Sequence, residues 1–156
     1  MVRRLFLGAV PGALVLAVAL RGAATDSASS GNLQVAAFTS AQDTFNKQCG
    51  ACHMAYPPVF LPARSWKAIT SDLAHHFGED ASLDKATTKI IADYLMANAA
   101  DRAPGAPAGV LRGIGPDDVP LRIIDTPFWN SVHRNIPAAV LARPEIKTKS
   151  NCLGCH

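Results

Sequence analysis

The sequence predicts an all-α protein made of two small halves. On both sides of a Pro- and Gly-rich stretch, apolar residues recur three and four positions apart, which is the spacing of one helix face. The stretch itself, residues 101–120, contains four Pro and four Gly and is interpreted as a linker between residues 37–100 and residues 121–156. Apart from a short apolar run at 121–124, no strand-like runs with turn signals appear.

The first 24 residues have the layout of a secretory signal peptide. A positively charged start is followed by an uncharged apolar run over residues 5–20 and by small residues at 22–24. The run contains Pro11 and is shorter than the ~20 residues that usually span a bilayer. We therefore expect cleavage, after Ala24 or alternatively after Ala19, rather than a retained membrane anchor. The predicted destination is the periplasm or an equivalent space, with no stable membrane insertion after cleavage.

The charge balance argues against a nucleic-acid partner. The chain has 15 basic and 12 acidic residues, a formal net charge of +3, but three of the basic residues and none of the acidic ones lie in residues 1–24. Without that segment 12 basic residues face 12 acidic ones, so no basic surface remains to attract phosphates. The Ser-rich residues 25–36 are predicted to form a disordered spacer.

All four cysteines belong to two copies of one motif, Cys49-Gly50-Ala51-Cys52-His53 and Cys152-Leu153-Gly154-Cys155-His156. The C-x-x-C-H pattern indicates covalent attachment of c-type haem. Two thiols at this spacing reach the two vinyl groups of one porphyrin, and the adjoining His can bind the iron from below. The motif therefore predicts two haem c groups, held covalently by the four thiols, with His53 and His156 as proximal iron ligands.

Three other interpretations of the cysteines exist. A thioredoxin-like dithiol needs a βαβ context, which the sequence does not show. A zinc site of four thiolates would require the two pairs to lie much closer together in sequence than they do. Disulfide pairing is the simplest alternative in an exported protein. None of the three requires a His directly after each pair, and haem attachment is the favoured interpretation.

Three His remain for the two sixth coordination positions. Residues 65–77 are predicted to be one helix, and Trp66, Ile69 and Leu73 form its apolar stripe. At about 100° per residue, His76 falls near this stripe and His75 falls on the solvent side. His76 is therefore the candidate sixth ligand of the first iron. The alternatives are that His76 is a packed core side chain without iron, or that Met96 is the ligand, which would raise the reduction potential.

A similar helix is predicted near the other end. Thr126 is its N-cap and Pro127 its first residue, and the helix is expected to run to about residue 135. Trp129, Val132 and His133 share one face. We therefore expect His133, the spare His of this half, to be the sixth ligand of the second iron.

Smaller features complete the first half. Residues 38–48 are predicted to be a helix that leads to Cys49, and Ser82 is predicted to cap a helix over residues 83–98. Gly78 is expected to end the helix of His76. The Tyr56-Pro57-Pro58 loop is expected to offer a carbonyl to the N–H of His53. Because neither half can bury much surface alone, the porphyrins are expected to form much of the core and the haem-free chain to be largely unfolded.

Together these residues resemble the small dihaem cytochromes c of bacteria. The matching segments are C-G-A-C-H-M-A-Y-P-P, L-P-A-R-S-W, H-H-F-G-E-D-A-S-L-D, D-T-P-F-W and S-N-C-L-G-C-H. The resemblance implies an N-terminal half similar to class I cytochrome c, a smaller second half, and bis-His ligation at both irons. Carried over, His53 and His76 hold haem 1 and His156 and His133 hold haem 2. Members of that family continue beyond the second motif, so we expect the sequence to lack a C-terminal tail.

The function expected from these features is periplasmic electron transfer without enzymatic activity. Two protein ligands on each iron leave no open position for a substrate. The resemblance implies other redox proteins as partners, such as a periplasmic cytochrome c or a membrane cytochrome b, contacted transiently by a monomer. Arg64 and Lys67 are expected either to pair with haem propionates or to lie solvated at the surface. The alternative is a haem enzyme or gas sensor, similar to a peroxidase, with one exchangeable axial position.

Overall fold

The structure is a computed structural model that describes residues 26–156, with side chains from residue 33 onward; the predicted signal peptide, residues 1–24, lies outside the described residues. The chain forms helices joined by turns, and within the described part it contains no β-strand. This confirms the all-α prediction. The α-helices are α1 Asp26–Cys49, α2 Ala63–Ser71, α3 Lys85–Ala97, α4 Pro127–Val132 and α5 Ala138–Leu141. Short 3-10 segments lie at Pro58–Phe60, Leu73–His75, Ile123–Asp125 and Cys152–Gly154.

The main core lies in the first half, where α3 packs against both α1 and α2. Tyr94 of α3 stacks at a tilt on Phe38 and Phe45 of α1, with ring centroids 5.6 Å and 5.4 Å apart. The Trp66 indole N–H of α2 donates to the Pro58 carbonyl at 2.7 Å, which satisfies its buried polar atom. The buried cluster consists of Phe45, Leu61, Ala63, Trp66, Ile91, Tyr94, Leu95 and Ala99.

Helix α1 is longer than the sequence predicts. It begins at Asp26 rather than at residue 38, so the disordered spacer predicted over residues 25–36 is helical from Asp26 onward. Ala, Leu and Gln residues before Phe38 favour helix, and each residue added to an existing helix gains a hydrogen bond. The extension does not serve the core, because Leu33 is 70% exposed and Val35 is 67% exposed.

The single helix predicted over residues 65–77 is wrong. Helix α2 ends at Ser71, and Asp72 leaves the helical region with φ −141° and ψ 62°. The Asp72 carboxylate accepts a hydrogen bond from Nδ1 of His75 at 2.8 Å, a local side-chain contact of the kind that competes with helix. Phe77 and Gly78 then adopt positive φ angles of 56° and 105° and reverse the chain. Gly78 therefore belongs to this turn and not to a helix end.

The helix caps agree with the sequence in one half and differ in the other. Thr126 is the N-cap of α4, as predicted, and its hydroxyl accepts from the Trp129 amide at 3.2 Å. In the first half Asp84, not Ser82, caps α3, because its carboxylate accepts from the amides of both Ala86 and Thr87. The cap is therefore the Asp84 carboxylate, which accepts from two N–H groups, and not the Ser82 hydroxyl that the sequence predicts.

The predicted linker, residues 101–120, consists of turns anchored to α2. Arg64 donates to the carbonyls of Gly115 and Asp118 at 2.6 and 2.5 Å, so its guanidinium binds backbone here. The Ala63 amide at the start of α2 donates to the Asp101 carboxylate at 2.8 Å. These bonds fix the path of the segment between the two halves.

Candidate functional site

The first C-x-x-C-H motif leaves the end of α1 in a tight turn. Cys49 is the last residue of the helix, and the Gly50 amide donates to the Asn46 carbonyl at 3.0 Å. A Cβ atom on residue 50 would lie 2.2 Å from that carbonyl oxygen, so the turn requires glycine. The turn continues through Cys52, and His53 lies in the bend that follows it.

The ring of His53 is oriented by a carbonyl next to it in sequence. Nδ1 of His53 lies 2.7 Å from the carbonyl oxygen of Met54. Because a carbonyl only accepts, Nδ1 carries the proton and Nε2 keeps the lone pair that a metal needs. The predicted carbonyl from the Tyr56-Pro57-Pro58 loop was wrong, since the Pro58 oxygen accepts from Trp66 instead.

His53 faces His76, the residue chosen from the sequence over His75. Their ring centroids are 6.2 Å apart and their planes are inclined by 18°. A metal ion bonded at about 2.0 Å to one nitrogen of each imidazole would separate the centroids by roughly 6 Å. The pair therefore has the spacing that one iron between the two rings requires.

The two adjacent His side chains lie in different environments. The His75 side chain is 82% exposed and contacts the Asp72 carboxylate, whose hydrogen bond raises the pKa of His75. His76 is half-buried, and its pKa is lowered by burial, then by the nearby His53 and Arg122. A lowered pKa favours the neutral imidazole, which is the form that binds a metal. Met96, the other candidate ligand, packs against the hydrophobic core.

The second motif forms a 3-10 turn over Cys152–Gly154, and its His156 amide donates to the Cys152 carbonyl at 3.0 Å. His133 terminates α4. Its Nδ1 donates to the Trp129 carbonyl at 2.9 Å, and its ring stacks on the Trp129 indole at 4.3 Å and 17°. The rings of His133 and His156 are also 6.2 Å apart, but their planes are nearly perpendicular at 85°.

A cavity of about 370 Å³ adjoins this second His pair. Its volume lies in the range of sites for organic ligands. Most of the lining is aliphatic or aromatic, including Phe60, Phe128, Trp129, Ile136, Leu141 and Ile146. Cys152 and Cys155 line the same cavity as His133 and His156, so the thiols, the two imidazoles and an apolar space stand together as a covalently bound porphyrin requires.

The cysteine environments do not support the other interpretations. All four Cys lie in the described part of the chain, and each thiol is free. Burial raises the pKa values of Cys49 and Cys152. Among residues 26–156 no three His, Cys, Asp or Glu side chains converge as a metal site of side-chain ligands alone would need, so a four-thiolate zinc site has no donor set.

Three contacts at these sites were not predicted. The Trp129 carbonyl that orients His133 lies four residues before it, so the i, i+4 spacing of a helix could have indicated it. Tyr56 stacks on His53 with centroids 4.9 Å apart, and its hydroxyl donates to the Ser150 carbonyl at 2.7 Å. Because 94 residues separate Tyr56 from Ser150, no local pattern could have indicated this bond.

Within residues 26–156, none of the helices combines the length and the apolar character needed to cross a bilayer.

The comparisons with known proteins cover the region that contains both C-x-x-C-H motifs. A search of curated proteins gave no match. Among solved structures, a dihaem cytochrome c from Rhodobacter sphaeroides is 46% identical, with a TM-score of 0.67, and the match covers 73% of this chain and 89% of that one. A dihaem cytochrome c from Shewanella baltica is 34% identical, with a TM-score of 0.61 and coverage of 74% and 80%. A profile described as "Dihaem cytochrome c" matches residues 45–156, and the chain therefore belongs to the dihaem cytochrome c family, with two covalently attached haem c groups and a role in electron transfer.

Proposed function

We propose that this protein is a periplasmic electron carrier in which two His side chains ligate each haem iron. His53 and His76 would hold the first iron, and His156 and His133 the second. The observation that carries the proposal is the common ring separation of 6.2 Å in both pairs. Two independent His pairs at the spacing of one metal ion are difficult to explain by packing alone.

Bis-His ligation favours electron transfer over catalysis. Each bound haem supplies a one-electron Fe(III)/Fe(II) couple. With protein nitrogens on both faces of an iron, no coordination position is open to a substrate. The chain would thus act as a carrier and not as an enzyme, which agrees with the general character of its family.

The residues around the ligands have defined tasks in this proposal. The carbonyls of Met54 and Trp129 accept from Nδ1 of His53 and His133, which fixes each ring and directs Nε2 toward a metal. Burial lowers the pKa of His76 and keeps that ring neutral and ready to bind. The apolar lining beside His133 restricts water, which is one of the means by which a protein tunes a reduction potential.

The partners proposed are other redox proteins, such as a periplasmic cytochrome c or a membrane cytochrome b. Such contacts are small and transient. Beyond residues 1–24 the polypeptide is formally neutral, with 12 basic and 12 acidic residues, so the haem propionates would make the holoprotein negative. A partner with a positive surface is therefore favoured. The apolar run of residues 5–20 supports export, and a monomer satisfies all of these requirements.

One observation favours the alternative of a haem enzyme or gas sensor. In both pairs the His of the C-x-x-C-H motif, His53 or His156, is exposed, whereas its partner is half-buried. An exposed ligand is more easily displaced by water or a small molecule, so an exchangeable position would arise at either haem.

Carbon monoxide distinguishes the two functions. The purified holoprotein is reduced, CO is added, and the visible spectrum is recorded. We expect no spectral shift, because neither iron has an exchangeable ligand. A full shift of one haem would establish the alternative and contradict bis-His ligation at that site.

Matched variants assign the ligands. His76→Ala should make the first haem high-spin and reactive with CO, while His75→Ala, its immediate neighbour, should leave the spectrum unchanged. His133→Ala should do the same at the second haem. A CO-reactive His75→Ala variant beside an unreactive His76→Ala variant would overturn the assignment.

A further inference from the structure

Tyr56 contacts both halves of the molecule at once. Its ring lies on the ring of His53, with centroids 4.9 Å apart and planes inclined by 29°. Its hydroxyl donates to the carbonyl of Ser150 at 2.7 Å, two residues before Cys152. One side chain thus bridges a proposed ligand of the first iron and the segment that attaches the second haem.

The position of Tyr56 is also defined at the second site. The side chain lines the cavity beside Cys152, His133 and His156, and it packs against the core of the first half. A tyrosine hydroxyl, with an ordinary pKa of about 10, is protonated at neutral pH and donates its hydrogen bond.

Other contacts between the halves lie at a single site or are more open. The rings of Phe60 and Phe128 stack with centroids 6.4 Å apart, and both line the cavity of the second site. Arg122 lies 4.1 Å from the centroid of the Phe77 ring, and both residues are exposed. A cation–π contact at an exposed position contributes little. Tyr56 is half-buried, is held at two ends, and directly touches residues of both haem sites.

We propose that Tyr56 is a positioning residue that couples the two haem sites and holds them at the separation needed for rapid electron exchange. This inference rests on the proposed electron-carrier function. The exchange moves one electron between the irons, oxidising one from Fe(II) to Fe(III) and reducing the other from Fe(III) to Fe(II). Tyr56 itself neither gains nor loses an electron or a proton. Its ring sets the distance to His53, and its hydroxyl sets the position of the Cys152 segment.

The test uses the dihaem holoprotein with three variants. Tyr56→Phe keeps the ring and removes the bond to Ser150, and Tyr56→Leu removes both contacts. Tyr94→Phe is the matched control, since it removes a hydroxyl from a ring that packs on Phe38 and Phe45 and does not line the cavity of the second site. Two quantities are measured: amide hydrogen exchange in residues 150–156, and the rate at which an electron redistributes between the haems after a pulse of one-electron reduction.

In Tyr56→Phe, loss of the hydrogen bond should raise the rate of amide hydrogen exchange in residues 150–156 by about fivefold. Electron redistribution should slow in Tyr56→Phe and slow further, by several-fold, in Tyr56→Leu. Tyr94→Phe should change neither quantity. A merely structural role would not slow redistribution in a variant that keeps both haems, both low-spin.

Redistribution at the unmutated rate in Tyr56→Leu, with two haems confirmed by pyridine haemochrome, would overturn the proposal. If Tyr56→Leu loses a haem, Tyr56→Phe is the deciding variant. Amide hydrogen exchange and electron redistribution that are both unchanged in Tyr56→Phe would then contradict the proposal. Failure of the proposed carrier function would be distinguished from failure of the Tyr56 proposal, because it would appear as a CO-reactive haem in the unmutated protein.

Discussion

The two haem sites share one distance and differ in one angle. In both His pairs the ring centroids are 6.2 Å apart, yet the planes are inclined by 18° in the first pair and by 85° in the second. The separation is the one that the proposed ligation of a shared metal ion would require, whereas the angle follows from what each ring packs against. His53 lies on Tyr56, and His133 lies flat on Trp129. Identical motifs therefore place a His at each site but leave the angle between the two rings to the surroundings.

The two halves also differ in how much of their stability comes from the polypeptide. Eight buried residues form a continuous core in the first half. In residues 121–156 the buried side chains are Thr126, Trp129 and Ile146, and the cavity takes the place of a core. We infer that the second half depends more strongly on its haem than the first does.

The largest effect is expected from removing one haem at a time. Cys152→Ser/Cys155→Ser should keep a cooperative thermal transition, because the eight-residue core and the first haem remain. Cys49→Ser/Cys52→Ser should lower the midpoint of this transition without abolishing it, because Cys49 packs on a core of eight buried side chains that remains without the first haem. The Cys152→Ser/Cys155→Ser variant should instead leave residues 121–156 unfolded. Circular dichroism melting of both variants, with haem counted by pyridine haemochrome, checks this, and loss of cooperativity in the Cys49→Ser/Cys52→Ser variant would contradict the difference between the halves.

The difference in ring angle should be visible in electron paramagnetic resonance spectra of the oxidised protein. Parallel imidazole planes interact with the same iron d orbital and split the pair, which gives a rhombic low-spin signal. Perpendicular planes interact with different orbitals and leave them nearly equal in energy, which gives one broad low-field feature. We expect one signal of each kind, with His133→Ala removing the low-field feature and His76→Ala the rhombic one. Two identical rhombic signals would contradict the angular difference.

A smaller effect separates the helix caps of the two halves. Thr126→Ala removes an N-cap that is 1% exposed and should lower the free energy of unfolding by about 1–2 kcal/mol. Asp84→Ala, the matched change in the first half, should lower it by less, because the Asp84 carboxylate is exposed. Only Thr126→Ala should also perturb the second haem, because α4 positions His133. Urea denaturation and the visible spectrum measure the two effects. Equal spectral changes in both variants would remove the distinction.

The smallest effect concerns pH. Hydrogen bonds from the hydroxyl and amide of Thr87 hold the pKa of Asp84 below its ordinary value of 3.8. This contribution to stability is therefore fully present above pH 3.8 and is lost as the pH falls through the lower pKa of the folded protein. Asp84→Asn keeps a good cap without the charge. Its free energy of unfolding should therefore be lower than that of the unmutated chain near neutral pH, and this difference should vanish on acidification. The loss of stability in Thr126→Ala should not depend on the titration of Asp84. The same pH dependence in both variants would refute the attribution of the effect to the Asp84 carboxylate.

Much of the second site could be predicted because its signals are local. Thr126 followed by Pro127 determines where α4 begins, and His133 follows one helical face from Trp129. At the first site the structure places the ring of His76 opposite His53, but the reason given for choosing His76 over His75 was a continuous helix that does not exist. The break at Asp72 and the turn at Phe77 bring His76 to His53 by a different route. The helical-phase prediction thus selected the residue whose ring faces His53, although the local structure it assumed was wrong.

The amino-acid sequence alone determined the chemistry and the class of the fold. Two C-x-x-C-H motifs specify covalent haem attachment, and the apolar periodicity specifies helices, because both depend on residues a few positions apart. Only the tertiary structure decided the ring angles, the carbonyl partner of His53 and the bond from Tyr56 to Ser150. These features depend on where distant segments pack or on how a turn closes, and short-range patterns carry no information about either.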